Sequence, residues 1–276
     1  MKKLLCILFC LLFVSVINYA RYKFRFEILE FEIKLIQFFV SCTDNDRNYL
    51  AYDIELWENI ENWDFAKAVS KNNFKRAEEL LERNHYDIDC REPKFGKTLL
   101  SWAVWNDNPD AVKFLLEHGA NPNVHDKCSG ISPITEAAGL FVSIEILEYL
   151  LQYGGNPNDY VKEDEILTHG RCDKTPLTTA YLSLEKTKLL IEAGADIDFT
   201  ADPGYTALFW AASSTSWAVL EYLLNNCDFD YNKTYVITIH NDTLYLKDLI
   251  LDNNVAARHD TIRAKRILNY VDKHFK

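Results

Sequence analysis

The sequence predicts an all-α solenoid, and two alternating phrases carry that prediction. The stretch "LLEHGANPN" at Leu115–Asn123 returns as "LLQYGGNPN" at Leu150–Asn158. Setting the second leucine of that phrase in register along the chain gives Leu81, Leu116, Leu151, Ile191 and Leu224, at steps of 35, 35, 40 and 33 residues. Between these positions runs a second phrase: "TLLSWAV" at Thr98, "SPITEAA" at Ser132, "TPLTTAY" at Thr175 and "TALFWAA" at Thr206. Self-similarity at a period of about 20–50 residues marks stacked repeats, in which one unit cannot bury its apolar face without its neighbours.

Each phrase has a local physical meaning. Thr or Ser at the head of the second phrase suits the cap of a first helix, and the apolar residue and Ala behind it allow helices to pack closely. Gly119, Gly154 and Gly194 close the first phrase where a second helix ends in a left-handed turn. With both phrases in place the chain resembles the ankyrin repeat, a unit of about 33 residues with a T-P-L-H-x-A start. That resemblance implies antiparallel helix pairs joined by finger-like β-turns over residues 63–276, about five repeats with a C-terminal cap. Asp64–Asn84 form the N-terminal capping unit and Asp242–Phe275 a shortened last one. The chain departs from the family phrase at its histidine, replaced by Ser101, Thr135, Thr178 and Phe209. Hydroxyls keep part of its hydrogen bonding, and the fifth unit loses it. Glu136 stands where sister repeats have Trp102 and Trp210, so this acid must be exposed or paired. Cys227 replaces the turn glycine.

Residues 1–62 lie outside the repeat. Lys2 and Lys3 precede the apolar run Leu4–Ile17, the shape of a secretory signal, so residues 1–20 are expected to direct export. Either they are cleaved after Ala20 or they persist as a membrane anchor at the short limit for a spanning helix. Residues 21–62 are expected to form an N-terminal helical extension. Within 21–41, Lys23, Glu27, Glu30, Lys34, Gln37 and Ser41 step by four and three between Phe24, Ile28, Phe31, Leu35 and Phe38, the period of an amphipathic helix. Tyr22–Ile28 also alternate by two, so a strand is the second reading there. This segment is expected to cover the end or groove of the stack, with membrane-surface binding as the alternative.

Composition restricts function further. The 276 residues carry 30 Lys and Arg against 41 Asp and Glu, a net charge of -11 that repels a phosphate backbone. Nucleic acid is therefore not an expected partner, and a protein with a basic surface is. Outside the first twenty residues, Cys42, Cys90, Cys128, Cys172 and Cys227 form no CxxC pair, so no metal is expected. They read as core or loop residues, with one disulfide after export left open. No GxSxG, P-loop, HExxH or dinucleotide fingerprint is present, and neither catalysis nor a cofactor is expected.

What remains is a binding surface. The ankyrin resemblance places it on the finger tips and on the first-helix positions beyond the phrase alanine. Here these are Phe95, Lys97, Trp105, Asn106, Ile131, Leu140, Lys174, Leu182, Tyr205 and Ser213. The apolar members among them resemble a hot-spot strip, since Trp and Tyr anchors dominate interface energies. The step from Ser132 to Thr175 is 43 residues, against 34 before and 31 after, and the extra residues lie near Asp159–Arg171. Asp159, Glu163, Asp164 and Glu165 would give that insertion an acidic rim for a basic partner, unless it is a tolerated neutral loop. The free chain is expected to be monomeric. Export signal, acidic stack and absent catalytic motif together look like periplasmic immunity proteins that neutralise antibacterial secreted phospholipases, acting from the periplasm or the inner membrane facing it. A periplasmic scaffold or chaperone for an enzyme such as a catalase, and a host-directed effector, are the alternatives.

Overall fold

The computed structural model describes residues 53–127, 129–160, 174–199, 206–214, 216–229, 234–237, 242–245, 250 and 261–274. All belong to the second of the two units into which the chain divides, Met1–Leu50 and Ala51–Lys276. The targeting run, residues 21–41, Tyr205, Glu163, Asp164 and Glu165 lie outside the described residues. Among the described residues no helix is long and apolar enough to cross a membrane.

Among the described residues five helix pairs follow one another: α1 (Trp63–Ser70) with α2 (Phe74–Asn84), α3 (Leu99–Trp105) with α4 (Pro109–Glu117), α5 (Pro133–Ala137) with α6 (Ile144–Gln152), α7 (Pro176–Thr179) with α8 (Leu184–Glu192), and α9 (Ala207–Ser213) with α10 (Trp217–Asn226). A short 3-10 turn at Ile54–Trp57 precedes them and buries Leu56 and Trp57 against α1. The second phrase opens the first helix of each of the last four pairs. The side chains of Thr98, Ser132, Thr175 and Thr206 accept hydrogen bonds from the backbone N–H groups of Ser101, Thr135, Thr178 and Phe209. Each cap contributes on the order of 1 kcal/mol.

The histidine substitutes behave as their chemistry requires. The hydroxyls of Ser101, Thr135 and Thr178 lie 3.1, 3.2 and 3.2 Å from the cap hydroxyls of Thr98, Ser132 and Thr175. In the fifth unit Phe209 is buried and meets Trp210 edge-on at 5.6 Å, so ring packing replaces the polar pair. The phrase alanines Ala103, Ala137, Ala180 and Ala211 are all buried, and the first helices pack in the order α3, α5, α7, α9. A side chain longer than a methyl at these positions would push neighbours apart.

The first phrase is a stitching device between units. At its end Asn123 and Asn158 accept from the backbone N–H of Asn156 and Asp196 in the following unit, at 2.8 Å each. Their amide nitrogens donate to the carbonyls of Gly154 and Gly194. Asp89 receives the N–H of Asn121 in the same way. The first residue of each pair closes a local turn instead: Asn121 and Asn156 accept from the N–H of Asn123 and Asn158. This division of labour explains why "NPN" is written twice. Gly119, Gly154 and Gly194 have φ near +90°, a region closed to most L side chains. Cys227 does not imitate them: it is extended at φ -120°, so α10 ends without a left-handed turn.

Beyond α10 the helical repeat gives way to a short hairpin, β1 (Thr234–Ile237) with β2 (Asp242–Tyr245), in which Thr234 pairs with Tyr245 and Ile237 with Asp242. The expected cap boundary at Asp242 therefore falls inside a hairpin. Helix α11 (Thr261–His274) packs on α10, burying Ile267 and Val271, and Glu221 of α10 receives both Arg263 and Arg266.

Candidate binding surface

The fingers are built on buried acids. In the first, Glu92 is almost fully buried, and its carboxylate accepts the backbone N–H groups of Lys94, Phe95 and Lys97 at 2.7, 2.8 and 2.9 Å. Asp126 repeats the arrangement in the second, taking the N–H of Ser129 and Gly130 and the Ser129 hydroxyl. Lys127 N–H donates to the Phe95 carbonyl at 3.0 Å and ties the two fingers together.

Lys97, expected at the finger surface, is instead buried. Its Nζ donates to Asp126 Oδ2 at 3.0 Å and lies 5.7 Å from the centre of the Trp105 ring. Burial works against the Asp126 carboxylate, but Lys97 and Ser129 outweigh it and hold the group below the ordinary range. Lys97 is thus an internal strut that links two fingers and the end of α3. Asp159 also departs from its expected place on an acidic rim. It is buried, receives the Ser132 hydroxyl, and lies 3.0 Å from His125 Nε2. Its negative charge serves the cap of α5, where it is shielded from a partner.

The remaining expected positions divide by exposure. Trp105 at the end of α3 is 40% exposed, and Leu140 after α5 is 41% exposed. Asn106 and Lys174 are exposed, while Phe95, Ile131, Leu182 and Ser213 are half-buried. Asn106 donates its side-chain amide to the Trp102 carbonyl, and Ser213 its hydroxyl to the Trp210 carbonyl, so both are partly committed to their own helices. Phe141, absent from the expected set, is 51% exposed. Three adjacent apolar residues, Leu140 to Val142, between a helix end and the next cap at Ser143 were the available signal. Further along the same edge, Tyr181 follows α7 and its ring lies 5.9 Å from that of Trp210.

Glu136 sits within α5 at half-burial. Burial raises its carboxyl above the ordinary range, and Asp126 adds to this, while Lys97 and Lys174 pull the other way. Neither lysine forms an ion pair with it. Lys186 on α8 is buried, and its ammonium donates to the carbonyls of Ala137, Gly139 and Val142 around the end of α5. Among the described residues no group of His, Cys, Asp or Glu is placed to hold a metal.

The geometry agrees with the comparisons. The sequence profile described as Ankyrin repeats (3 copies) matches residues 65–161 and 160–235. An ankyrin repeat protein of Rickettsia bellii is 39% identical over 62 residues, 22% of this chain and 9% of that protein. Human ankyrin repeat and SOCS box protein 6 is 32% identical over 139 residues, 48% of this chain and 31% of that protein. The chain thus spans well under half of these relatives. The crystal structure of EF0377, an ankyrin repeat protein, superposes with a TM-score of 0.56 at 25% identity, over 76% of this chain and 98% of that one. With the profile covering most of the chain and helix pairs capped and stitched in the same way from unit to unit, the chain belongs to the ankyrin-repeat family, a fold that serves as a non-catalytic protein-binding module.

Proposed function

We propose that this chain works by stoichiometric binding of one protein partner along the first-helix surface, as an immunity protein that neutralises a secreted effector such as a phospholipase in the periplasm. The observation that carries the binding surface is the exposure of Trp105, Leu140 and Phe141 at the ends of two neighbouring first helices, whose other apolar side chains are buried. Large apolar groups in one patch favour an interface, and Trp is the commonest anchor. The net charge of -11 and the Lys2–Lys3 apolar run support a basic partner and an exported or membrane-anchored location.

Three measurements test it. An equimolar amount of the full chain should abolish the activity of the captured partner enzyme; a partner that remains fully active in the complex would favour the scaffold reading and end the immunity one. Trp105→Ala should weaken that complex by about 2 kcal/mol, mainly through faster dissociation, with a melting curve to show that the variant stays folded after losing the ring beside Lys97. An alkaline phosphatase fusion at Lys276 should be active, and an inactive one beside a fluorescent cytoplasmic fusion would rule out export.

A further inference from the structure

We infer that Glu136 is a specificity residue of the binding surface: it receives a lysine or arginine side chain, and the ligand class is a peptide segment in which that basic residue has apolar neighbours. The inference rests on the reading that the first-helix surface binds protein.

Glu136 stands four residues beyond the cap Ser132, the register position held by Trp102, Thr179 and Trp210 after Thr98, Thr175 and Thr206. These four residues sit on first helices that pack in sequence, so they form one row across the stack. The other three show what the fold tolerates there: a buried indole, a half-buried threonine and a half-buried indole. An acid is the costly choice, because a carboxylate withdrawn from water and not hydrogen-bonded opposes folding.

The cations around it relieve that cost only in part. Lys97 is within its field but directs Nζ to Asp126 at 3.0 Å, with both side chains buried. Lys174 is exposed and makes no ion pair with it. Asp126 adds repulsion, and the net result is a carboxyl whose proton is held more tightly than in water. Charge is therefore left over at one place in the row, and a cation from outside would complete it.

The flanks specify the rest of the ligand. Trp105 ends the preceding first helix, and Leu140 and Phe141 follow Glu136 by four and five residues, in the turn after α5, all substantially exposed. A basic side chain on Glu136 thus places its neighbours over apolar surface, where the methylene stem of Lys or Arg is also accommodated. Residues that break a local folding rule without structural compensation concentrate at functional sites.

A random dodecapeptide library selected on the full chain, followed by fluorescence polarisation of the recovered peptides, tests this. Recovered peptides should share a Lys or Arg beside aliphatic or aromatic residues. Glu136→Gln should weaken them about tenfold, and so should norleucine in place of the basic residue, with little further loss when both changes are combined. Thermal melting should show Glu136→Gln at least as stable as the parent, since a half-buried carboxylate with no ion pair has been removed. Glu136→Thr, which copies Thr179, provides a second folded variant. A consensus without a basic residue, no enrichment, or affinity unchanged in both variants would overturn the inference. If Trp105→Ala abolishes peptide binding while the Glu136 variants do not, the surface reading stands and the role of Glu136 falls. If none of these variants affects binding, both fall.

Discussion

Lys97→Met is expected to lower the unfolding free energy by about 4 kcal/mol, because it strands a buried carboxylate. Asp126 has a fully buried side chain, and Lys97 donates to it at 3.0 Å. The Ser129 and Gly130 N–H groups remain as donors, which limits the loss to that of a broken pair. The pH dependence follows from the depressed Asp126 carboxyl in the parent. A depressed acid contributes stability that is present above the unfolded value of about 3.9 and is lost as pH falls through the folded one. In the variant the part of that stabilisation supplied by Lys97 is absent, while the Ser129 hydrogen bonds remain. The difference between parent and variant should be greatest near neutrality and narrow below about pH 4, which urea melts at several pH values will measure. A constant difference would mean that the pair is not ionised in the fold.

Lys186→Met should cost about 3 kcal/mol, because three carbonyl oxygens at the end of α5 lose their common donor. Relief from burying an ammonium offsets part of that loss. Burial pulls Lys186 down to about 8, and Asp107 counters it only in part. For a lysine so depressed, the folded state releases its proton before the unfolded state does. Its contribution is lost as pH falls through about 8 and is complete only above its ordinary value. Denaturant melts of parent and variant from pH 7 upward should therefore show the parent gaining on the variant above about pH 8. Parallel curves would indicate that the site holds its proton throughout.

The repeat was legible because its determinants are local. Thr98, Ser132, Thr175 and Thr206 cap helices within their own phrases, and Gly119, Gly154 and Gly194 turn the chain where they stand. The C-terminal hairpin was not legible, because its pairing follows no repeat phrase. At the surface, position in the repeat indicated which residues lie near fingers and helix ends, but not which are already bonded. Lys97 and Asp159 have the composition of rim charges, and only the placement of Asp126, His125 and Ser132 around them makes them internal. Phe141 escaped for the opposite reason: it lies one residue past the family position held by Leu140, and its exposure depends on how the chain leaves α5. The partner's chemistry was legible only as net charge, which does not single out Glu136.

The most direct measurement of the binding surface is site-specific photo-crosslinking in cells that produce the partner. Benzoylphenylalanine in place of Trp105, Leu140 or Phe141 should give one discrete adduct of the same mass increment at each site. At Glu148 and Lys188, exposed on the second helices α6 and α8, it should give none. Adducts at Glu148 or Lys188 with none at Trp105, Leu140 and Phe141 would place the partner on the other face of the stack and contradict the account.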